Sequence, residues 1–494
     1  MRLSLLLPTL GLASQVVANS AVQDYFGQLM PVTKHALLHQ TTGPEAGAAA
    51  GVVAAVIPDP EHPEFSVYWV RDACLVYDVW LNELTALGDT SLRPLMDDVT
   101  HALIQSQQVT SLAGNVFTGG LEEAVFYIDL SYILDDKARI GSPAADGPPF
   151  RAAILIKYAD WLLTQNNGSW VAENLWPAIN LDLQWISLHW NQSSWDLWWP
   201  PVWGGSYWTS SLQYRALRAG ARLGRRIGRP ENVVEYDSKA SMVLDYMQTF
   251  WNPEKNFMSE TTITDVKKGG RSGIGAAPLT VSIFNFDQSL GCDPLTFQPC
   301  SDKALASLKF ITDEFRQLWP ISRKWPKDQP ALLGFFLEDQ FIGGQPQFFS
   351  TFNAAEQLYD ALSTWNKIGG LEVTKISLKF FQQFDTHVRV GRYTKGSTRY
   401  DRLTKAIRKY ADDIILLLAK HTPEDFLLTE SIQNTTGLPY GSRGMIRSLA
   451  AASSAYDTHN GLVPNSWSNG TLRVQTETEE SAPYRYDQYY FGRE

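Results

Sequence analysis

Long stretches of helical period dominate the chain and limit its fold more than any other feature. RPLMDDVTHALIQSQQ (93–108), PPFRAAILIKYADWLLTQ (148–165), TSSLQYRALRAGARLGRRI (209–227), VVEYDSKASMVLDYMQTFW (233–251), FNAAEQLYDALSTWNKIG (352–369), VTKISLKFFQQF (373–384) and RLTKAIRKYADDIILLLAKH (402–421) each read as one helix. In the fifth, Leu358, Leu362 and Trp365 fall at i, i+4 and i+7, a single apolar stripe. Pro148 and Pro149 open the second, and Gly369-Gly370 closes the fifth. Clean period-two runs are few, and there is no nucleotide-type glycine loop. Helices joined by alternating short and long loops predict one all-α domain, a toroid of helical hairpins, with a solenoid as the alternative. The long loops rich in Gly, Pro, Asn and aromatics are where such a scaffold builds a site.

Charge narrows the partners. A formal net charge of −10, with no Lys/Arg block, argues against nucleic acid, whose phosphates the summed field would repel. Seventeen Trp and 20 Tyr offer flat faces suited to neutral rings, though packing also uses them. No CxxC pair and no His/Cys zinc spacing is present, so neither metal nor cofactor is expected.

The N-terminus has Arg2, an apolar run from Leu3 to Ala13 and a small-residue cleavage pattern, Val16-Val17-Ala18. It reads as a signal peptide over residues 1–18, and Pro8 speaks against a buried first helix. No other run approaches the roughly 20 apolar residues of a membrane span. A secreted protein, expected as a monomer, would expose sequons at Asn167, Asn191, Asn434 and Asn469 to glycosylation. An oxidising compartment would let Cys292 and Cys300 pair across GCDPLTFQPC, leaving Cys74 as a buried thiol.

One segment is chemically odd. WDLWWPPVWGGSYWT (195–209) has no Asp, Glu, His, Lys or Arg between Asp196 and Thr209, so it offers no group for proton transfer near neutral pH. Its flanks nevertheless belong to a pattern. YWVRDACLVYDVWLNELTALGDTSL, ADGPPFRA, WDLW, QYRAL, CDPLTFQPCSDKAL, AAEQLYDAL, LEVTKISLKFF and LVPNSW, in this order over most of residues 30 to 468, resemble the fungal glucoamylases of glycoside hydrolase family 15. The resemblance implies an (α/α)6 barrel with its pocket at the loop end, and inverting release of glucose from α-1,4-glucan ends. The Ser/Thr-rich linker and starch-binding domain of some members have no counterpart over residues 19–494, so granular starch is not an expected substrate.

Inverting hydrolysis needs a carboxylic acid for the leaving oxygen and, about 6.5–9.5 Å away, a carboxylate to activate water. The resemblance places the base at Glu430, in LTES, and sugar contacts at Trp69, Arg71, Asp72, Asp196, Trp198, Glu338 and Asp339. Where the family has its acid and a neighbouring Glu, this chain has Trp199, Pro200 and Pro201. Phe335 replaces an Arg, Arg447 and Ile140 replace tryptophans, and Phe65 and Val67 replace tyrosines. With Phe341, these changes predict a pocket walled by Phe65, Val67, Ile140, Trp199, Phe335 and Phe341, poor in partners for sugar hydroxyls; mutual packing that closes the pocket is the other reading.

Residues alone leave two bland readings open: Glu430 as a solvated loop carboxylate, and Arg71-Asp72 as a structural ion pair. Three functions remain. The favoured one is a repurposed scaffold binding or transforming an apolar small molecule. The others are a glucosidase using Asp196, Glu122 or Glu123 as a non-standard acid, and a non-catalytic protein binding an oligosaccharide or other ligand. Glu122-Glu123 reads more readily as a solvated loop pair.

Overall fold

The computed structural model of the chain describes residues 7–40, 47–57, 66–134, 142–195, 201–202, 204–262, 271–326, 329–340 and 343–472. Twelve helices of eight residues or more stand among them: α1 (Leu7–His35), α2 (Val70–Asn82), α3 (Arg93–Gln108), α4 (Gly147–Thr164), α5 (Trp176–His189), α6 (Tyr207–Arg226), α7 (Val233–Met247), α8 (Ala277–Phe284), α9 (Asp302–Leu318), α10 (Phe348–Ile368), α11 (Thr398–Ala419) and α12 (Ile446–His459). The even-numbered helices pack side by side in a closed ring, α2 on α4, α6, α8, α10 and α12, with α12 returning to α2. Each odd-numbered helix lies outside, against the inner helix that precedes it around the ring, α3 on α2 through α11 on α10, with α1 against α12. This is an (α/α)6 barrel, and the closed ring excludes a solenoid.

Burial separates the two layers. An inner helix touches both ring neighbours, an outer helix and the axis, so Phe348 through Ala361 of α10 and Tyr207 through Ala221 of α6 are buried without a break. Outer α3 buries only one stripe, Met96, Val99, Ala102 and Leu103 with three polar neighbours. Cys74 is fully buried in α2 as a free thiol, its pKa pushed well up by burial.

One expected helix is corrected. VTKISLKFFQQF splits into a strand, Gly370–Val373, and a five-residue helix, Leu378–Gln382. Between them the Thr374 hydroxyl accepts from Ile376 N at 3.1 Å and the Ser377 hydroxyl accepts from Thr374 N at 3.1 Å. These short polar side chains take over the backbone groups that a helix would have used. The expected leader, residues 1–18, enters α1, but residues 1–6 and the side chains of 7–19 lie outside the described residues. Among the described residues no helix is long and apolar enough to cross a membrane.

The Cys292–Cys300 disulfide forms, directly before α9, whose first turn is capped by the Ser301 hydroxyl accepting from Ala304 N at 3.2 Å. Closing so short a loop limits the unfolded chain modestly. Replacing both cysteines by serine is expected to cost about 2–3 kcal/mol in urea denaturation; a loss below about 0.5 kcal/mol would show that the bridge contributes nothing beyond ordinary surface variation.

Candidate functional site

Because inner and outer helices alternate along the chain, the inner helices are parallel and their N-termini gather at one end of the barrel. Asp72 and Arg71 stand in the first turn of α2, Asp146 is the N-cap residue of α4, Trp208 opens α6, and Arg447 opens α12. Glu260 lies at the start of α8, its Oε1 accepting from Ala277 N at 2.9 Å. A helix N-terminus carries roughly half a positive charge, so a ring of six favours carboxylates at this end.

Three short ribbons complete it. Strand β1 (Val67–Trp69) pairs with β2 (Val125–Tyr127), Trp69 opposite Val125. Strand β3 (Ser194–Trp195) pairs with β4 (Pro201–Val202), Trp195 opposite Pro201, the last of the three residues that stand where the family has its acid. Glu430 lies on β5 (Thr429–Ile432), paired with β6 (Pro439–Arg443) and tied to the segment before α10 by Ile432 N donating to Pro346 O at 2.8 Å. In the connecting turn Gly437 adopts a φ of 78°, and a Cβ there would meet the His421 ring at 2.8 Å, so glycine is required twice over.

The charges at this end form two linked groups. Arg71 Nε donates to Asp146 Oδ2, which also accepts from the Trp208 indole at 2.9 Å, while the Arg71 guanidinium lies 5.6 Å from the Trp69 ring centroid. Arg447 forms the second group. Its Nη2 donates to Glu430 Oε1, its Nη1 lies 3.6 Å from Asp72 Oδ2, and its guanidinium stacks 5.2 Å from the Phe335 ring. Glu430 is only 5% exposed, which replaces the solvated-carboxylate reading with a buried one. Burial raises its pKa, the Arg447 charge pulls it down, and Asp72 adds to the rise, leaving it above the ordinary carboxylate range. The ion pairs that bind Arg71 and Asp72 run to Asp146 and Arg447, in place of the local pair expected between the two neighbours.

Other expected positions fall as follows. Phe335 is buried beside Arg447. Val67 is 3% exposed and packs with Val125 and Ile133 under Trp69, so this side chain fills a closed cluster. Glu338 accepts from Ser272 N at 3.1 Å through Oε1, and its buried Oε2 has no hydrogen-bond partner among the described residues. Asp339 is half-buried beside it. Phe65, Ile140, Asp196, Trp198, Trp199, Pro200 and Phe341, and the side chain of Pro201, lie outside the described residues.

Glu122 and Glu123 are corrected: neither is a solvated loop carboxylate. Glu123 is 1% exposed and accepts from the Ser142 hydroxyl, and burial pushes the Glu122 pKa up to about 7. The 142–147 segment packs over them, with Ala144 N donating to Glu122 O at 2.9 Å. Sequence reading missed Asp146 as the partner of Arg71, although ADGPPFRA held the signal. It noted Arg447 only as a lost tryptophan. Of the sequon asparagines, Asn191 and Asn469 are exposed and Asn167 and Asn434 half-buried.

Comparison with known proteins agrees with this architecture. A family model described as glycosyl hydrolases family 15 matches residues 34–451. Glucoamylase-1 of Schizophyllum commune is 38% identical over 473 residues, covering 95% of this chain and 80% of that protein. A glucoamylase of Neurospora crassa is 33% identical over 91% of this chain and 70% of its own length. The family 15 glucoamylase structure from Hypocrea jecorina superposes with a TM-score of 0.86 at 32% identity, over 92% of this chain and 76% of that one. With a closed ring of helix pairs, acidic groups at the inner N-termini and these matches, the chain belongs to glycosyl hydrolase family 15.

Proposed function

We propose that this is a secreted family 15 protein that has lost ordinary release of glucose from α-1,4-glucan ends and binds or transforms an apolar small molecule in the former sugar pocket. The observation that carries this reading is Arg447, which holds both Glu430 and Asp72 and stacks on Phe335. An oxocarbenium-like transition state gathers positive charge where the family keeps carboxylates. A guanidinium fixed among those carboxylates cancels part of the field that hydrolysis needs. With the acid replaced by Trp199, Pro200 and Pro201, the remaining machinery suits ligand polarisation or proton transfer at Glu430, whose pKa burial raises. Secretion is supported by the leader pattern, the Cys292–Cys300 bridge and the exposed sequons at Asn191 and Asn469.

Calorimetric titration with farnesol and with maltotriose tests the pocket. Farnesol is expected to bind with a negative heat-capacity change, and Phe335→Ser to weaken it about tenfold, the loss of one buried apolar contact. Maltotriose binding tighter than farnesol would overturn the reading.

Glu122 favours a second reading. It is a carboxyl with a pKa of about 7, on the segment whose Ala124 O accepts from Val70 N at the start of α2, and could serve as a non-standard acid. Glucose release that disappears in Glu122→Gln would establish this alternative.

A further inference from the structure

On the outer surface of the barrel, between α11 and the segment that follows α9, lies a groove of about 830 Å³, a volume usual for ligand sites and one that the chemistry proposed above does not use. One face of α11 runs along it. Ala406, Tyr410, Asp413, Leu417 and Lys420 fall at i, i+4, i+7, i+11 and i+14, a stripe about 21 Å long. The opposite face of the same helix, with Ile407, Ile414 and Leu418, is buried against the barrel. Trp325, Gln329 and Pro330 line the groove from the segment after α9, and Gln383 and Phe384 line it from just beyond the short helix Leu378–Gln382.

The lining is fixed by contacts of its own. The Arg316 guanidinium, 1% exposed, donates to Gln329 O, and Trp325 N donates to Ser322 O at 2.9 Å. The Phe384 ring meets Tyr410 edge to face, with centroids 5.5 Å apart. His421, also in the lining, has Nδ1 2.8 Å from Gly437 O. A carbonyl can only accept, so the proton is on Nδ1 and Nε2 is left as an acceptor. Gly437 stands in the turn of the β5–β6 ribbon that carries Glu430, which sets this end of the groove beside the loop end of the barrel.

Charge in the groove nearly cancels. Lys409 Nζ reaches both carboxylate oxygens of Asp413, at 2.8 and 2.6 Å, and burial lowers the His421 pKa, which keeps that ring neutral. Lys420 stands exposed at one end. The groups left for recognition are neutral. The Trp325 indole and the Gln329 and Gln383 amides make no side-chain hydrogen bond among the described residues. Beside them lie the half-buried rings of Trp325 and Phe384. An apolar helix laid here would cover the three polar groups without pairing them. The lining residues include no strand edge that could receive an extended peptide. A pyranose chain meets both demands, its C–H faces covering the rings and its hydroxyls pairing with the amides.

We propose that this groove is a surface site for a neutral glucan chain, with hexose rings on Trp325 and Phe384 and hydroxyls bonded to the Gln329 and Gln383 amides. The stripe along α11 has room for several hexoses, so affinity rises with chain length. A polysaccharide held there brings the loop end of the barrel against its surface, whatever ligand the barrel itself takes.

Calorimetric titration of the full chain with maltoheptaose and with laminariheptaose distinguishes an α-linked from a β-linked chain as the source of that chemistry. At least one is expected to bind, more tightly than its disaccharide and equally well at about 20 mM and about 500 mM sodium chloride, because no charge is engaged. Trp325→Ala should weaken binding about tenfold and Gln383→Leu about fivefold, in chains that circular dichroism shows to be folded. Trp325→Phe, which keeps a ring, should hold affinity within about threefold of the original. Binding of neither heptaose would overturn the proposal. So would binding that Trp325→Ala and Gln383→Leu both leave intact, which would place the glucan inside the barrel. Affinity that collapses at high salt would overturn it in favour of an anionic ligand at Lys420, and a concentration-dependent dimer abolished by Trp325→Ala would overturn it in favour of a second copy of the chain.

Discussion

Purified protein given maltose or maltoheptaose is expected to release glucose about 10⁴-fold more slowly, or slower still, than the Schizophyllum commune glucoamylase assayed beside it. Two losses multiply. A positioned general acid is worth about 10²–10⁴ in rate, and between Asp196 and Thr209 the chain carries no Asp, Glu, His, Lys or Arg to supply one. Arg447 adds the second. A positive charge about 5 Å from a developing oxocarbenium costs about 3 kcal/mol at an effective dielectric constant near 20, or about 10²-fold in rate. Coupled-enzyme detection of glucose over long incubations reads such rates directly. Turnover within about tenfold of the relative would refute the proposed loss of hydrolysis, whatever ligand the pocket takes.

Of the outer helices, α3, α7 and α11 were readable because they have a wet side, while α5 and α9 were not read. RPLMDDVTHALIQSQQ alternates polar and apolar residues in helical period, and the helix observed, Arg93–Gln108, has the same bounds. Inner α4, α6 and α10 were read from period as well, but α8 and α12 lose that signal. Ala277–Phe284 is apolar almost throughout, and Ile446–His459 buries Ala450, Ala451 and Ala452 with Ser448 and Ser453 on surrounding faces, so no stripe stands out. The (α/α)6 arrangement came from family resemblance more than from period, which left a solenoid open.

Site positions divide in a similar way. Asp72 and Glu430 were legible as motif positions because their neighbours in sequence persist. That Arg447 grips both at once was not, since the contact joins α12, β5 and α2, elements far apart in the chain. Glu122 was misread for the same reason. Its run, GGLEEAVFYID, looks solvated until the 142–147 segment packs over it, and only tertiary burial moves its pKa to about 7.

Removing the guanidinium tests whether that grip is structural as well as chemical. Arg447→Met is expected to destabilise the protein by about 3–5 kcal/mol at neutral pH, the usual result of stripping one partner from a buried ion pair. The Arg447 side chain is 15% exposed, and the side chains of Glu430 and Asp72 are 6% and 8% exposed, so water can replace little of what is lost. Without Arg447 the main influence that lowers the Glu430 pKa is gone, while burial and Asp72 still raise it. The folded-state value then lies further above the unfolded one. The variant's deficit should be greatest at alkaline pH and shrink on acidification as Glu430 takes up a proton. Glu430→Gln in the same background removes the charge that needed a partner. The double variant should therefore recover part of the loss, with a coupling of about 1–3 kcal/mol in a double-mutant cycle read by urea denaturation. A loss below about 1 kcal/mol that is the same at every pH would show that Arg447 is solvated and free of Glu430, and would remove the observation on which the repurposed pocket rests.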